Sequence, residues 1–164
     1  MREGSDNRKS QAGVRIEEGC VRMHEYAAWP GAEAALAVLA DGLASRDDVT
    51  LLAVGPGRYW VLLDAAATLE IEAAGVAHTD LSHAHTSFRL TGPASRLVLR
   101  KGLPIDLHPS VFPAGRVATS AIEGIVVTVI NRGTGFELLC RRSFARSLAH
   151  WLSDAAAEFA GASA

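Results

Sequence analysis

The sequence of 164 residues holds only two cysteines, Cys20 and Cys140. They are far apart, with no CxxC spacing and no second pair, which excludes a disulfide framework and a Cys-rich zinc site. Reduced thiols in a cytoplasmic protein are the simple reading. No apolar run approaches the ~18 residues that a spanning helix needs. No Lys/Arg-rich block appears and the net charge is -2, which argues against nucleic acid as the main partner. No GxGxxG follows a strand, so a nicotinamide- or flavin-binding parallel sheet is not indicated. GxSxG and HExxH are missing as well, which removes the common serine-hydrolase and zinc-protease signatures.

What is present is an ordinary globular balance, with 49% apolar and 21% charged residues. Residues 1–13 are polar, lack the apolar core of a signal peptide and read as a disordered tail, and residues 161–164 read as a short C-terminal tail. Between the tails, residues 14–75 read as an N-terminal lobe. It has a short strand over 14–23, then a helix in AEAALAVLADGLASR with Leu36, Leu39 and Leu43 at helical spacing. A hairpin of 49–55 and 58–64 follows, turned by Gly55-Pro56-Gly57. Residues 65–75, rich in Ala, Leu and Glu, read as a helix stopped by Gly75.

Residues 76–160 read as a second lobe of order β-β-α-β-β-β-α. Strands over 76–82 and 85–92 lead into a helix opened by Gly92-Pro93 and closed by Gly102. Gly124 and the Gly133–Gly135 pair separate three more strands between 116 and 142. The last helix spans 143–160, with Phe144, Leu148, Trp151, Leu152, Ala155 and Phe159 on one stripe and Ser143 as N-cap. Antiparallel strand runs with interspersed helices indicate an α+β fold of two lobes.

Several clusters invite chemistry. His78, Asp80, His83 and His85 crowd into eight residues, yet strand alternation puts only His78 and Asp80 on one face. Asp80 and Ser82 suit backbone bonds at a strand-to-turn transition better than metal ligation. Cys140 sits in an apolar strand as a small core residue. Asp106 and His108, two apart in a loop, read as ties of that loop to itself.

The loop is GLPIDLHPSVFPAGR, residues 102–116. Pro104, Pro109 and Pro113 forbid a helix interior or a central strand. Leu103, Ile105, Leu107, Val111 and Phe112 make it too apolar for a disordered linker. A further oddity is Arg141, Arg142 and Arg146 around the start of the last helix, where the dipole favours acidic residues. Solvent screening and carboxylates on another surface are both open explanations.

The series DLSHAHTSFRLTGPASRLVLRKGLPIDLHPSVFPAGRVATS, with CRRSFARSLAHWLSDAAAEF, resembles the gamma subunit of heterotetrameric sarcosine oxidase. VGPGRYWVLL resembles that family's strand–turn–strand segment. The resemblance covers roughly residues 50–160. It implies a fold related to the folate-binding domain of the glycine-cleavage T-protein. It also implies alpha, beta and delta partner subunits that hold FAD, FMN, NAD, zinc and tetrahydrofolate, with none of these in this chain. The implied role is that of a non-catalytic subunit of an enzyme that demethylates sarcosine oxidatively. On this basis the stiff loop is expected to present Leu107, Val111 and Phe112 to a partner, and Arg141, Arg142 and Arg146 to form a second contact. Two other readings stay open at this point. One is a free-standing folate-binding or one-carbon protein, against which 6% aromatics speaks, because a pterin site needs an aromatic-lined cavity. The other is a gamma-like subunit of a dehydrogenase acting on N-methylglutamate or another N-methyl amino acid.

Overall fold

The computed structural model describes residues 8–11, 13–64, 66–69 and 71–159. Most of the expected tails, residues 1–7, 12 and 161–164, therefore lie outside the described residues. Arg8–Gln11, also assigned to the N-terminal tail, instead form strand β1, paired antiparallel with β2 (Val14–Gly19). No helix among the described residues is long and apolar enough to cross a membrane.

The fold is α+β with two antiparallel sheets, and the chain divides into two compact units. One unit comprises Met1–Cys20 with Thr86–Ala164; the other, Val21–His85, is inserted between those segments. The boundaries differ from the lobes expected at 75/76. The stretch 14–23, expected as one strand, breaks at Cys20. Val14–Gly19 pairs with β7 (His85–Thr91), while β3 (Arg22–Ala28) joins the other sheet. Which sheet a strand joins depends on partners some seventy residues away, as in the pairing of Gly19 with Ser87, and periodicity carries no such information.

The inserted unit holds a sheet of order β4-β5-β3-β6, built from β4 (Val49–Gly55), β5 (Arg58–Leu63), β3 and β6 (Val76–Asp80). Helix α1 (Glu33–Ala44) buries Leu36, Leu39 and Leu43 against Tyr26, Val61 and Leu63 of that sheet. The helix expected over 65–75 does not form. Its described residues are irregular, and two arginines bond to carbonyls in and beside it. Arg22 Nη1 donates to the carbonyls of Asp64 (3.0 Å) and Ala67 (2.8 Å), and Arg46 Nη2 donates to that of Thr68 (3.2 Å). The Asp64 carbonyl also accepts from Ala67 N (3.0 Å), a turn contact rather than a helical one. Ala67 is buried, and Leu69 and Ile71 pack on the same core, so the segment's apolar residues are covered without a helix.

The other unit carries a sheet of order β1-β2-β7-β10-β9-β8, completed by β8 (Val117–Ile122), β9 (Ile125–Asn131) and β10 (Gly135–Arg141). Neighbours β7 and β10 approach so closely that a Cβ on Gly135 would overlap the carbonyl oxygen of Leu90, so only glycine fits there. Helices α2 (Ser95–Arg100) and α3 (Ala145–Ala156) cover one face. Alternate residues of β9 and β10, namely Val127, Val129, Phe136, Leu138 and Cys140, meet Val98, Leu99, Leu148 and Leu152 in the core. Each large side chain buried this way stabilises the fold by about 1.5–3 kcal/mol. The last helix departs from expectation at its start. Arg142–Phe144 forms a 3₁₀ turn, Phe144 rather than Ser143 is the N-cap, and no side chain caps it.

Candidate interaction site

The mid-chain loop contains no helix or strand, as its prolines require, but it does not offer its apolar residues to the surface. Leu107 is 1% exposed and Phe112 4% exposed, and both belong to the core beneath α2 and α3 together with Leu103. This corrects the expectation that Leu107 and Phe112 form a partner-docking face. Of that trio only Val111, 53% exposed, lies on the surface.

The loop's backbone is tied down throughout. The Asp106 carboxylate accepts from His108 N (2.8 Å), and His108 Nδ1 bonds Ser110 Oγ (2.7 Å). The His108 carbonyl accepts from the N–H groups of Val111 and Phe112. Asn131, buried on β9, donates from Nδ2 to the Phe112 carbonyl (2.7 Å) and accepts at Oδ1 from Gly133 N (2.9 Å). The rings of Phe112 and Phe136 lie near parallel with centroids 6.4 Å apart. Asp106 and His108 thus fasten the loop to itself, as their spacing indicated.

The arginines lie at the far end of the same sheet. Arg141 ends β10, Arg142 opens the 3₁₀ turn and Arg146 stands in the first turn of α3, all three exposed. No acidic residue occupies that first turn. Cations there oppose the helix dipole, and carboxylates brought by another surface would relieve it. Arg146 also borders an open cleft of about 630 Å³ with Lys101, Glu123, His150, Trp151 and Asp154. Lys101 is already engaged: its ammonium donates to the Ala155 carbonyl (2.6 Å), pairs with Glu158 (2.8 Å) and lies 5.0 Å from the centre of the Phe159 ring.

Among the exposed apolar residues, which include Trp29, Val38 and Leu97, two bear on the sequence reading. Phe144, expected on the buried stripe, is 45% exposed, and Val126 in β9 is 64% exposed. The helical stripe fails at Phe144 because the residue sits in the 3₁₀ turn, out of phase with α3. Val126 is hidden in the continuous apolar run IVVTVI, which gives no sign of which residue is left uncovered.

The histidine-rich stretch resolves into separate roles. Asp80 accepts from Ser82 N (2.8 Å), and that hydrogen bonding, from Ser82's side chain and backbone, holds its carboxyl below the usual range. His78 Nε2 lies 2.8 Å from His24 Nδ1 across the paired strands β3 and β6, a contact invisible to local spacing. His85 is buried against the Trp60 ring. Among the described residues no group of three or more His, Cys, Asp or Glu side chains is placed to hold a metal ion. Cys140 is buried, and burial pushes its thiol up to about 11.

The model of the sarcosine oxidase, gamma subunit family matches residues 31–158. The chain belongs to that family. Its gamma-family relatives include the sarcosine oxidase subunit gamma of Corynebacterium sp. (strain U-96), 42% identical over 84 residues, which is 51% of this chain and 41% of that protein. Subunit gamma of Corynebacterium sp. (strain P-1) is 33% identical over 123 residues, covering 71% of this chain and 61% of that protein. In both, the match spans less than two thirds of the relative's own length. Among solved structures, a chain of the heterotetrameric sarcosine oxidase from Corynebacterium sp. U-96, in complex with pyrrole 2-carboxylate, superposes with a TM-score of 0.77 at 30% identity. It covers 95% of this chain and 90% of that one.

Proposed function

We propose that this chain is the gamma subunit of a flavin-dependent heterotetrameric sarcosine oxidase of the cytoplasm, with a structural and assembly role. In this reading the oxidative demethylation of sarcosine, and passage of the one-carbon unit to tetrahydrofolate, take place in the alpha, beta and delta subunits. FAD, FMN, NAD and zinc are held there too. The observation that carries the reading is the likeness to a chain of such a heterotetramer along nearly the whole length of both. Cationic and apolar groups left on the surface at the start of α3 support an assembly role, since they gain more from a partner than from water.

The test is co-expression of a tagged chain with alpha, beta and delta subunits of such an oxidase. The expected result is a stable complex with flavin absorbance, which loses integrity when the chain is omitted. A chain that purifies alone and monomeric, while the remaining subunits assemble and turn over sarcosine at full rate, overturns the reading. So does tight binding of tetrahydrofolate by the isolated chain in a calorimetric titration, which would favour a free-standing folate-binding protein.

A further inference from the structure

We propose that His24 and His78 form a two-histidine chelate for a divalent late transition-metal ion of the copper, nickel and zinc class. The site lies wholly within the unit Val21–His85 and does not depend on the subunit reading above.

Strand pairing brings the two rings together across 54 positions of sequence. The register of β3 and β6 pairs His24 with Asp80 and Tyr26 with His78, so His24 and His78 are diagonal neighbours on one face of the sheet. His24 Nδ1 and His78 Nε2 lie 2.8 Å apart. The ring centroids are 5.0 Å apart and the ring planes 27° from parallel. That centroid separation is close to the nitrogen distance plus one ring radius on each side. Both nitrogens therefore lie near the line between the rings, and their in-plane lone-pair directions converge.

The spacing suits an ion between them. A zinc–imidazole bond is about 2.0–2.1 Å, and two such bonds at a right or tetrahedral angle hold their nitrogens about 3 Å apart. A small rotation of the rings is enough to admit it. Each neutral imidazole can offer its lone pair here by carrying its proton on the other ring nitrogen. The proton now between the rings moves to that outer nitrogen, so none is lost overall.

The surroundings hold the rings and leave the site open. The His78 ring is braced against that of buried Tyr26, with centroids 4.8 Å apart and planes within 15°. Asp80, opposite His24, sets a negative charge beside the pair. Arg22 acts on His24 in the opposite sense, but its Nη1 is committed to the carbonyls of Asp64 and Ala67. His78 is exposed and His24 half-buried, so an ion can enter from water.

Two imidazoles without a thiolate set the class of metal. Imidazole suits copper, nickel and zinc, with copper(II) bound tightest, whereas calcium and magnesium call for oxygen ligands. Two protein ligands rather than three fit a surface site completed by solvent, not a closed structural centre. An ion there would also fasten the edge of the sheet, because β6 is paired only with β3.

The test is a calorimetric titration of the purified, tag-free full chain with Cu²⁺, Ni²⁺, Zn²⁺ and Mg²⁺ in a non-chelating buffer. The expected result is one copper ion per chain, weaker binding of nickel and zinc, and none of magnesium. His24→Gln and His78→Gln should each weaken copper binding at least about 10-fold. His150→Gln, at an exposed histidine paired with Asp154 on α3, should bind as wild type. Electron paramagnetic resonance of the copper-loaded wild-type chain should show splitting by two nitrogens, a readout that holds even if a variant fails to fold. Copper binding unchanged in both variants, or a wild-type spectrum with one nitrogen or none, overturns the site. Loss of binding in His150→Gln alone places the ion on α3 and overturns it as well. Each of these failures leaves the subunit reading intact.

Discussion

Leu107→Ala separates a loop that belongs to the core from a loop that waits for a partner. The side chain is 1% exposed and packs with the residues beneath α2 and α3. Truncation removes three carbons, worth about 0.8 kcal/mol each by transfer, or roughly 2.4 kcal/mol. The cavity adds to this, because prolines and the bonds from His108 and Asn131 keep the loop from collapsing into the space. The total is about 3–4 kcal/mol, a large fraction of the ~5–15 kcal/mol that holds a typical domain together. In urea the isolated chain should unfold at a midpoint about 1–4 M lower, followed by circular dichroism and by tryptophan fluorescence. Val111→Ala, four residues on but 53% exposed, should change stability by less than about 0.5 kcal/mol. If Leu107→Ala leaves the isolated chain as stable as Val111→Ala does, the side chain is not in this chain's core, and the assignment of the loop is refuted.

Gly102→Ala should destabilise by about 1–3 kcal/mol, since a Cβ there would overlap Cζ2 of Trp151 and lie 2.9 Å from its Cη2. A thermal melt within 1 °C of wild type would refute that close packing. Cys20 is exposed and Cys140 buried, with its thiol near 11, so a disulfide dye at pH 8 should titrate one thiol in the native chain and two in guanidinium. Two thiols reacting at equal rates in the native state would contradict it. Burial above all, helped by His78 and Arg22 and opposed by Asp80, holds His24 below its ordinary 6.5. As pH falls below 6.5 the unfolded chain takes up this proton before the folded chain does. That share of stability is therefore complete above 6.5 and is lost as pH falls through the folded value. His24→Gln should flatten the fall in urea midpoint below pH 6.5, and an unchanged slope would refute the assignment.

Legibility in the sequence followed the range of the interactions involved. The β4–β5 hairpin is marked by Gly55-Pro56-Gly57, and α1 by its leucine spacing, because turns and amphipathic helices are decided within a few residues. The order of elements from β6 to α3 was readable for the same reason. Residues 65–75 were misread because their composition favours a helix, while the guanidinium groups that claim their carbonyls come from residues 22 and 46. The split of 14–23 between two sheets, and the pairing of β1, depend on partners in space rather than on local pattern. At the candidate site the arginines were legible as an electrostatic oddity, whereas Phe144 was lost to a 3₁₀ turn that shifts the helical phase.

The loop shows why apolar composition alone is a poor guide to an interface. A proline-stiffened segment can be greasy because it roofs its own core, and here its inward residues reach 1% and 4% exposure. An exposed apolar residue within a regular element is no surer a guide, since Val38 of α1 is 73% exposed as well. Val126 lies between strand neighbours in a sheet where Val127 and Val129 are fully buried, yet it is 64% exposed. A charged residue there would have lowered the risk of aggregation at no cost in core packing.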